Sequence, residues 1–163
     1  MSLVRRLARP MLAAVFVSGG VDQLRSPETK AEAAEPVATP IARRVSWLPQ
    51  DTAQLVRLNG AVQVSAGTAL ALGRFPRVSA LVLAASVVPT TLAGHRFWEQ
   101  PDAASARQHR TQFLKNLGLL GGLLLASVDT AGNPSLVWRT KHAAVEAKRV
   151  AAAAPTRALK AVA

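Results

Sequence analysis

The chain of 163 residues contains no cysteine and no tyrosine, and only 4% of its residues are aromatic. Without thiols, neither a disulfide framework nor a thiolate metal site is available to it. Acidic residues are also scarce, at 9 against 20 lysines and arginines. No phosphate-binding loop, carboxylate pair or serine beside a histidine stands out, so hydrolase chemistry has no support and no catalytic residue is predicted.

The basic residues produce a formal net charge of +11, but they are spread over the termini and loops that flank apolar segments. A nucleic-acid-binding domain would gather them on one face and place aromatic side chains among them for stacking. That pattern is missing, so no nucleic acid partner is expected. Lys and Arg beside apolar segments are typical of contact with anionic lipid headgroups, and we expect the lipid bilayer to be the main partner.

Half of the residues are hydrophobic, and they are concentrated in four runs. Each run approaches the ~20 residues that a helix needs to cross ~30 Å of hydrocarbon. They predict an all-α integral membrane four-helix bundle, with spans at about 3–24, 55–72, 78–98 and 113–128. The basic and apolar N-terminal segment could instead be a cleaved signal peptide, but the runs that follow it favour a retained first helix.

Polar segments separate and follow the four runs. Residues 26–50 contain Pro27, Pro36 and Pro40 and are predicted to be an extramembrane loop, with a short interfacial helix from Pro40 to Leu48. Residues 1–138 would form the membrane domain, and residues 139–163 a basic, alanine-rich tail. More Lys and Arg lie in the N-terminus, the 73–77 turn and the tail than in the segments on the other side of the membrane, so both termini are predicted to be cytoplasmic.

The second run carries Arg57, Asn59 and Gln63, which is unusual for a membrane span. Gly60, Gln63 and Gly67 follow one another at three- and four-residue steps, so they share one helical face. We predict that Gly60 and Gly67 allow neighbouring helices to pack closely. Arg57 and Gln63 either join helices to one another, which is the simpler interpretation, or belong to a polar ligand pocket.

The last run contains a second set of small residues. Gly118 and Gly122 form a G-x-x-x-G pair in an apolar context, which predicts a helix-packing face. Such a face can serve either a neighbouring helix of the same chain or a homo-oligomer.

His95, at the end of the third run, is the residue best suited to chemistry. An imidazole there could relay protons or hold a haem or metal ion. His109 is predicted to lie in a loop and His142 on the opposite side of the membrane. A haem held between two histidines is therefore not expected, and no metal site is predicted.

Two segments resemble the DoxX family: Val87–Trp98 (VVPTTLAGHRFW) and Gln112–Gly122 (QFLKNLGLLGG). The opening of the second run, Val56–Gly60 (VRLNG), is similar to the actinobacterial branch of that family. The resemblance covers most of residues 1–140 and implies a four-helix protein of the bacterial inner membrane. It transfers no catalytic motif, and marks four signature positions at the outer mouth of the bundle, His95, Arg96, Lys115 and Asn116.

The DoxX family is named after a small subunit of a terminal quinol oxidase, so the resemblance implies a link to quinones or oxidative-stress defence. The first hypothesis is a redox-associated accessory subunit, not an enzyme by itself, that binds quinone or docks oxidoreductase proteins. The second is a membrane scaffold or assembly protein with no redox role. A small-molecule transporter is a third, although no broken-helix pair or repeat supports it.

Overall fold

The computed structural model of the protein describes residues 3–130, Trp138 and residues 140–149. Within 3–130 the chain forms helices and turns only, which confirms the all-α prediction. The helices are α1 (Leu3–Arg25), α2 (Glu28–Arg44), α3 (Thr52–Ala71), α4 (Pro76–Gly94), a 3₁₀ turn (Phe97–Glu99) and α5 (Ala103–Val128). They belong to one compact unit of residues 1–129.

Residues 130–163 form a second unit. In its described part, residues 140–149 are helical, and the rings of Trp138 and His142 stack with their centroids 3.5 Å apart. The rest of the predicted basic tail, residues 139 and 150–163, lies outside the described residues.

Helices α1, α3, α4 and α5 lie side by side and alternate in direction. Gly20 near the end of α1 meets Gly60 near the start of α3, and Val17 meets Gly67 further along, so the two helices are antiparallel. Short connections make α4 antiparallel to α3 and α5 antiparallel to α4. The centre of the core consists of apolar side chains from all four helices: Phe16, Leu70, Leu83 and Leu123.

The alternation gives the bundle two ends with different chemistry. We call the end that holds the start of α1, the α3–α4 turn and the end of α5 the basic end, defined by Arg5, Arg9, Arg74, Arg77 and Asp129. The other end holds the end of α1, the starts of α3 and α5, and His95. Helix α2 packs there against α3 and α4, and we call it the α2 end.

The α3–α4 turn is tight because its backbone N–H groups donate hydrogen bonds to the last carbonyl groups of α3. The amide of Arg74 donates to the carbonyl of Ala69 at 2.8 Å, and the amide of Gly73 donates to Leu70 at 3.0 Å. Gly73 has φ 69°, a left-handed conformation that glycine adopts without steric cost. Phe75 is also left-handed, with φ 47°, and Pro76 then begins α4 in the first-turn position that suits proline.

Glycines set how closely α1 approaches α3. A Cβ on Gly60 would lie 2.8 Å from the Gly20 carbonyl oxygen, and a Cβ on Gly67 would lie 2.9 Å from Val17 Cγ2. The glycines of α5 differ: a Cβ added at Gly118 would meet no other part of the described chain within 4 Å, and one added at Gly122 would meet only Leu12, at 3.7 Å. Gly60 and Gly67 therefore lie at a close helix contact, whereas the face of α5 that carries Gly118 is open.

Helix α2 takes up most of residues 26–50, which the sequence predicted to be an extramembrane loop, so the irregular structure expected there is wrong. Pro36 and Pro40 suggested breaks, yet both lie inside the helix. Proline removes an N–H donor and leaves the carbonyl four residues earlier without its helical partner. Those carbonyls belong to Glu32 and Pro36, both exposed residues, so other donors can reach them. The predicted short helix from Pro40 to Leu48 is part of α2 only as far as Arg44.

The last two helices also differ from their predicted bounds. Helix α4 ends at Gly94, and the chain leaves helical geometry at His95 before the 3₁₀ turn. Helix α5 begins at Ala103, ten residues before the predicted span, because Asp102 caps it by accepting the backbone N–H groups of Ala104 and Ser105, both at 2.9 Å. The polar connector predicted before residue 113 is thus mostly the first part of a helix.

Among the described residues, two segments are long and apolar enough to cross a membrane: Pro76–Glu99 and Ala103–Val128. The apolar window of the first is 39% buried within the protein, and that of the second is 6% buried. Helix α5 therefore presents apolar side chains outward along most of its length, for example Leu125, which is 73% exposed.

Candidate functional site

Four polar side chains close a ring of hydrogen bonds between α1, α3 and α4, which we call the amide ring. Gln23 Nε2 donates to Gln63 Oε1 at 3.1 Å, and Gln63 Nε2 donates to Ser86 Oγ at 2.9 Å. Ser86 Oγ donates to Asn59 Oδ1 at 2.8 Å, and Asn59 Nδ2 donates to Gln23 Oε1 at 2.8 Å, which closes the ring. Each member donates once and accepts once, so three helices are joined without any buried charge.

The amide ring leaves hydrogen-bonding capacity unused. A carboxamide has two N–H donors, and the ring uses one from each of Gln23, Asn59 and Gln63. No acceptor within the described residues takes the second donor of these amides. A ligand beside the ring would therefore meet N–H groups.

A cavity of about 390 Å³ opens on one side of the amide ring, and residues of α1, α2, α3, α4 and α5 line it. We call it the His95 cavity. His95 lines it, and the Nδ1 of this residue is buried with no hydrogen-bond partner among the described residues. Asn116 contributes an amide that donates one N–H to Thr91 Oγ1 at 3.0 Å. Charged residues reach this cavity at Asp22 and Lys30.

A second cavity of about 240 Å³, which we call the α2 cleft, lies between α2, α3 and α4. Among the described residues that line it, none is charged; the polar side chains are Gln23, Asn59 and Thr90. The two cavities share part of their walls: Gln23, Ala34, Val56, Thr90 and Ala93. The amide ring therefore stands at the border of a polar cavity and an apolar one.

Aromatic side chains pack beside His95, where α4 gives way to α5. Phe97, Trp98 and Phe113 meet edge to face, with ring centroids 5.0 to 6.0 Å apart. The ring of His109 lies 5.7 Å from that of His95, and its Nδ1 is 3.1 Å from the Gly94 carbonyl oxygen. The prediction that His109 lies in a loop is wrong, because α5 begins before it and carries it to His95.

The basic end is joined through the carboxylate and carbonyl of Asp129. Arg5 Nε donates to the Asp129 carboxylate at 2.9 Å, and Arg9 Nη2 lies 3.6 Å from the same oxygen. Arg77 Nε donates to the Asp129 carbonyl at 2.8 Å. Arg9 is only 8% exposed, so its charge is held inside the bundle, next to the Asp129 carboxylate. This contact ties the end of α5 to the starts of α1 and α4.

The six predicted ligand-binding residues do not form one site. His95, Asn116 and Gln63 all line the His95 cavity. The other three do not line it: Arg57 lies at the surface, with Nη2 3.4 Å from Glu28 Oε1; Arg96 pairs with Glu99 at 2.9 Å; and Lys115 is exposed. The mouth predicted from the pairs His95–Arg96 and Lys115–Asn116 therefore contains one member of each pair.

Sequence reasoning missed two residues of this region, Gln23 and Ser86, which complete the amide ring. An amide near the end of the first apolar run was the available signal for Gln23. Ser86 gave no such signal, because a serine in an apolar helix most often bonds to its own backbone.

A sequence model of the DoxX family matches residues 5–96, which is more than half of the chain and covers α1 to α4. Comparisons with curated proteins and with solved structures found no match. The resemblance noted in the sequence is thereby confirmed. DoxX proteins are associated with membranes, in agreement with the two apolar helices of this fold. On the match over α1 to α4, the chain belongs to the DoxX family.

Proposed function

We propose that the protein is a four-span protein of the bacterial inner membrane whose His95 cavity binds the headgroup of a quinone, as an accessory subunit of redox metabolism. Support for membrane insertion comes first from α5. Leu114, Leu117, Leu124, Leu125 and Val128 are each about half exposed or more. In water this stripe would leave apolar surface unburied at about 25 cal/mol per Å², whereas lipid tails would cover it.

Helices α1 and α3 also suit a bilayer, although both carry polar residues. Their 23 and 20 residues rise about 35 and 30 Å, enough for the hydrocarbon layer. Their buried polar groups face the bundle: Gln63 is in the amide ring, and Arg9 lies near Asp129. Polar residues in membrane helices are tolerated in this arrangement, because each finds a partner inside the protein.

Charge supports an orientation with the basic end in the cytoplasm. That end has five arginines, in α1 and around the α3–α4 turn, and the tail that follows α5 has six Lys and Arg, which makes eleven. The segments of the α2 end carry the other nine of the 20. Short cytoplasmic segments carry excess Lys and Arg, so the N-terminus and the end of α5 would both be cytoplasmic.

Single cysteines test this topology, since the chain has none of its own. Arg74→Cys and Glu32→Cys place one thiol at each end of the bundle, and both positions are exposed. A maleimide that does not cross membranes should label Glu32→Cys in spheroplasts and Arg74→Cys only after the membrane is opened. Labelling of both variants in intact spheroplasts would contradict the four-span arrangement, and the reverse order would invert the orientation.

The unpaired Nδ1 of His95 carries the quinone proposal. A buried polar atom without a partner is costly unless a ligand or water satisfies it. A quinone offers two carbonyl acceptors on a flat ring, and the His95 cavity offers the imidazole and the spare N–H of Asn116. If Nδ1 carries no proton, it can instead accept from the hydroxyl of the reduced quinol. The site would thus hold either redox form.

Quinone content tests the proposal. The protein is purified from its native membrane in mild detergent, and extracted quinone is measured per mole of protein. His95→Ala should lower that ratio by about tenfold, since one lost hydrogen bond of ~1.4 kcal/mol has that effect. His142→Ala is the matched control, because that histidine lies in the second unit. Wild-type protein without quinone, or equal quinone in the two variants, would contradict the assignment.

A scaffold role is the second candidate, and the open face of α5 favours it. A Cβ added at Gly118 would meet no other part of the described chain within 4 Å, so this glycine leaves room for a helix of another chain. Gly118→Leu should then dissociate an oligomer or partner on a native gel. The same mass for Gly118→Leu and wild type would count against this role.

A further inference from the structure

We infer that the α2 cleft is a second ligand site, which binds the chain of an uncharged lipid whose carbonyl accepts hydrogen bonds from Gln23 and Asn59. The first support is the character of its wall. Large aliphatic side chains from α2, α3 and their connection form most of it: Val37, Ile41, Leu48, Leu55, Leu58 and Val62. From Leu55 to Val62 the wall runs about 10 Å along α3, which suits a hydrocarbon chain.

The polar side chains in the cleft offer donors and little else. Gln23 and Asn59 each spend their carbonyl oxygen and one N–H in the amide ring, which leaves one N–H apiece. The hydroxyl of Thr90 is directed to its own helix, 2.9 Å from the Ser86 carbonyl and 3.0 Å from that of Val87. The complementary ligand group is therefore an acceptor such as an ester or quinone carbonyl.

The lack of charge restricts the ligand further. Burying a carboxylate or phosphate without a cation nearby is strongly unfavourable, and no described residue of the cleft wall supplies one. Fatty acid anions and phospholipid headgroups are thus poor occupants. In this respect the cleft differs from the His95 cavity, whose wall includes Asp22 and Lys30, and the inference does not depend on quinone binding at His95.

Exposed apolar side chains also lie at the mouth of the cleft. Ile41 of α2 and Leu58 of α3 both line it and are 42% and 38% exposed, so they mark its mouth. Between α2 and the rest of the unit, the polar contacts are weak: Arg57 with Glu28 at 3.4 Å and Gln50 Nε2 with the Ala42 carbonyl at 3.3 Å. Exposed ion pairs contribute little, so apolar contact mainly holds α2 in place and a chain can enter beside it.

Photocrosslinking in detergent micelles tests the site. The probe is a diacylglycerol analogue with a diazirine in its acyl chain, and labelled peptides are identified by mass spectrometry. Label is expected around Ile41, Leu58 and Val62, and Val62→Phe should lower it about tenfold by filling the cleft. Ala61→Phe, an exposed neighbour outside the cleft, is the matched control. If Val62→Phe fails to fold, Leu58→Trp obstructs the mouth at a position that tolerates a larger side chain.

Competition experiments distinguish the two classes of uncharged lipid that could occupy the cleft. Displacement of the label by a decyl-tailed quinone identifies a prenylated quinone as the occupant, and displacement by unlabelled diacylglycerol alone identifies an ester lipid. The inference is overturned if decanoate displaces the label equally well, if neither neutral competitor does, or if Val62→Phe labels like Ala61→Phe. His95→Ala should leave the label unchanged, which separates this result from that of the proposed quinone headgroup site.

Discussion

The contact between Gly20 and Gly60 allows a sharp test of the packing between α1 and α3. A Cβ added at Gly60 would lie 2.8 Å from the Gly20 carbonyl oxygen, 2.9 Å from Gln23 Cβ and 3.3 Å from Leu24 Cγ. The first two atoms belong to the backbone or its first side-chain carbon, so rotation of a side chain cannot relieve the overlap. Gly60→Ala must move the helices apart, and Gln23 of the amide ring moves with them.

The expected cost follows from two opposing effects. Inserting a methyl group into a well-packed contact costs about 1–3 kcal/mol, and this contact has two overlaps below 3.0 Å. Alanine recovers up to about 1 kcal/mol of helix propensity relative to glycine. The net expectation for Gly60→Ala is a loss of about 1–2 kcal/mol. At Gly118 an added Cβ would meet no other part of the described chain within 4 Å, so Gly118→Ala should keep the gain in helix propensity without a packing cost.

The assay is unfolding in mixed micelles of a mild detergent and dodecyl sulfate, followed by circular dichroism. The double variant Gly20→Ala with Gly60→Ala should cost less than the sum of the single changes, because separating the helices once relieves both overlaps. The packing argument would be refuted by a Gly60→Ala protein at least as stable as wild type. Equal losses for Gly60→Ala and Gly118→Ala would refute it as well.

Three further predictions concern polar contacts. Ser86→Ala opens the amide ring and should cost about 1–3 kcal/mol in the same unfolding assay, whereas the exposed Ser65→Ala should change stability by less than about 0.5 kcal/mol. Asp129→Ala leaves the buried Arg9 without this carboxylate and should cost about 3 kcal/mol, at the low end because Asp129 is partly exposed. Backbone N–H groups that donate to the Asp102 carboxylate hold its pKa below the ordinary 3.8. The cap should therefore stabilise α5 fully above pH 3.8, and this stabilisation should disappear as the pH falls through the lower folded-state pKa. Hydrogen exchange of the backbone amides at the start of α5 measures the loss.

The sequence predicted α1 and α3 to within three residues at each end, and the reason is physical. Both helices coincide with apolar runs, and Asp51 caps α3 by accepting two backbone N–H groups. Helix α2 was missed because its prolines read as breaks. The available signal was the spacing of Ala34, Val37, Ala38 and Ile41, an apolar face at three- and four-residue steps that now lines the α2 cleft.

The candidate site was only partly predictable. Gln63 was found because its face of α3 combines amides with glycines. Its hydrogen-bond partners in the ring lie on α1 and α4, and the rotation of those helices about their axes determines which side chains face Gln63. Lys115 and Asn116 are neighbours in sequence, yet successive residues on a helix point about 100° apart. Asn116 therefore faces the His95 cavity while Lys115 is exposed.

The polar groups of this bundle are divided along its length, which bears on what it can bind. The charges of Arg9 and Asp129 lie toward the basic end, whereas the neutral amide ring joins α1, α3 and α4 toward the α2 end. A closed neutral ring satisfies its own strong hydrogen bonds at little desolvation cost, and still leaves N–H donors at its edge. An interior of this kind favours ligands that are themselves neutral acceptors attached to hydrocarbon. The His95 cavity and the α2 cleft would then select one chemical class on the two sides of a single ring, and a change at Ser86 should weaken both sites together.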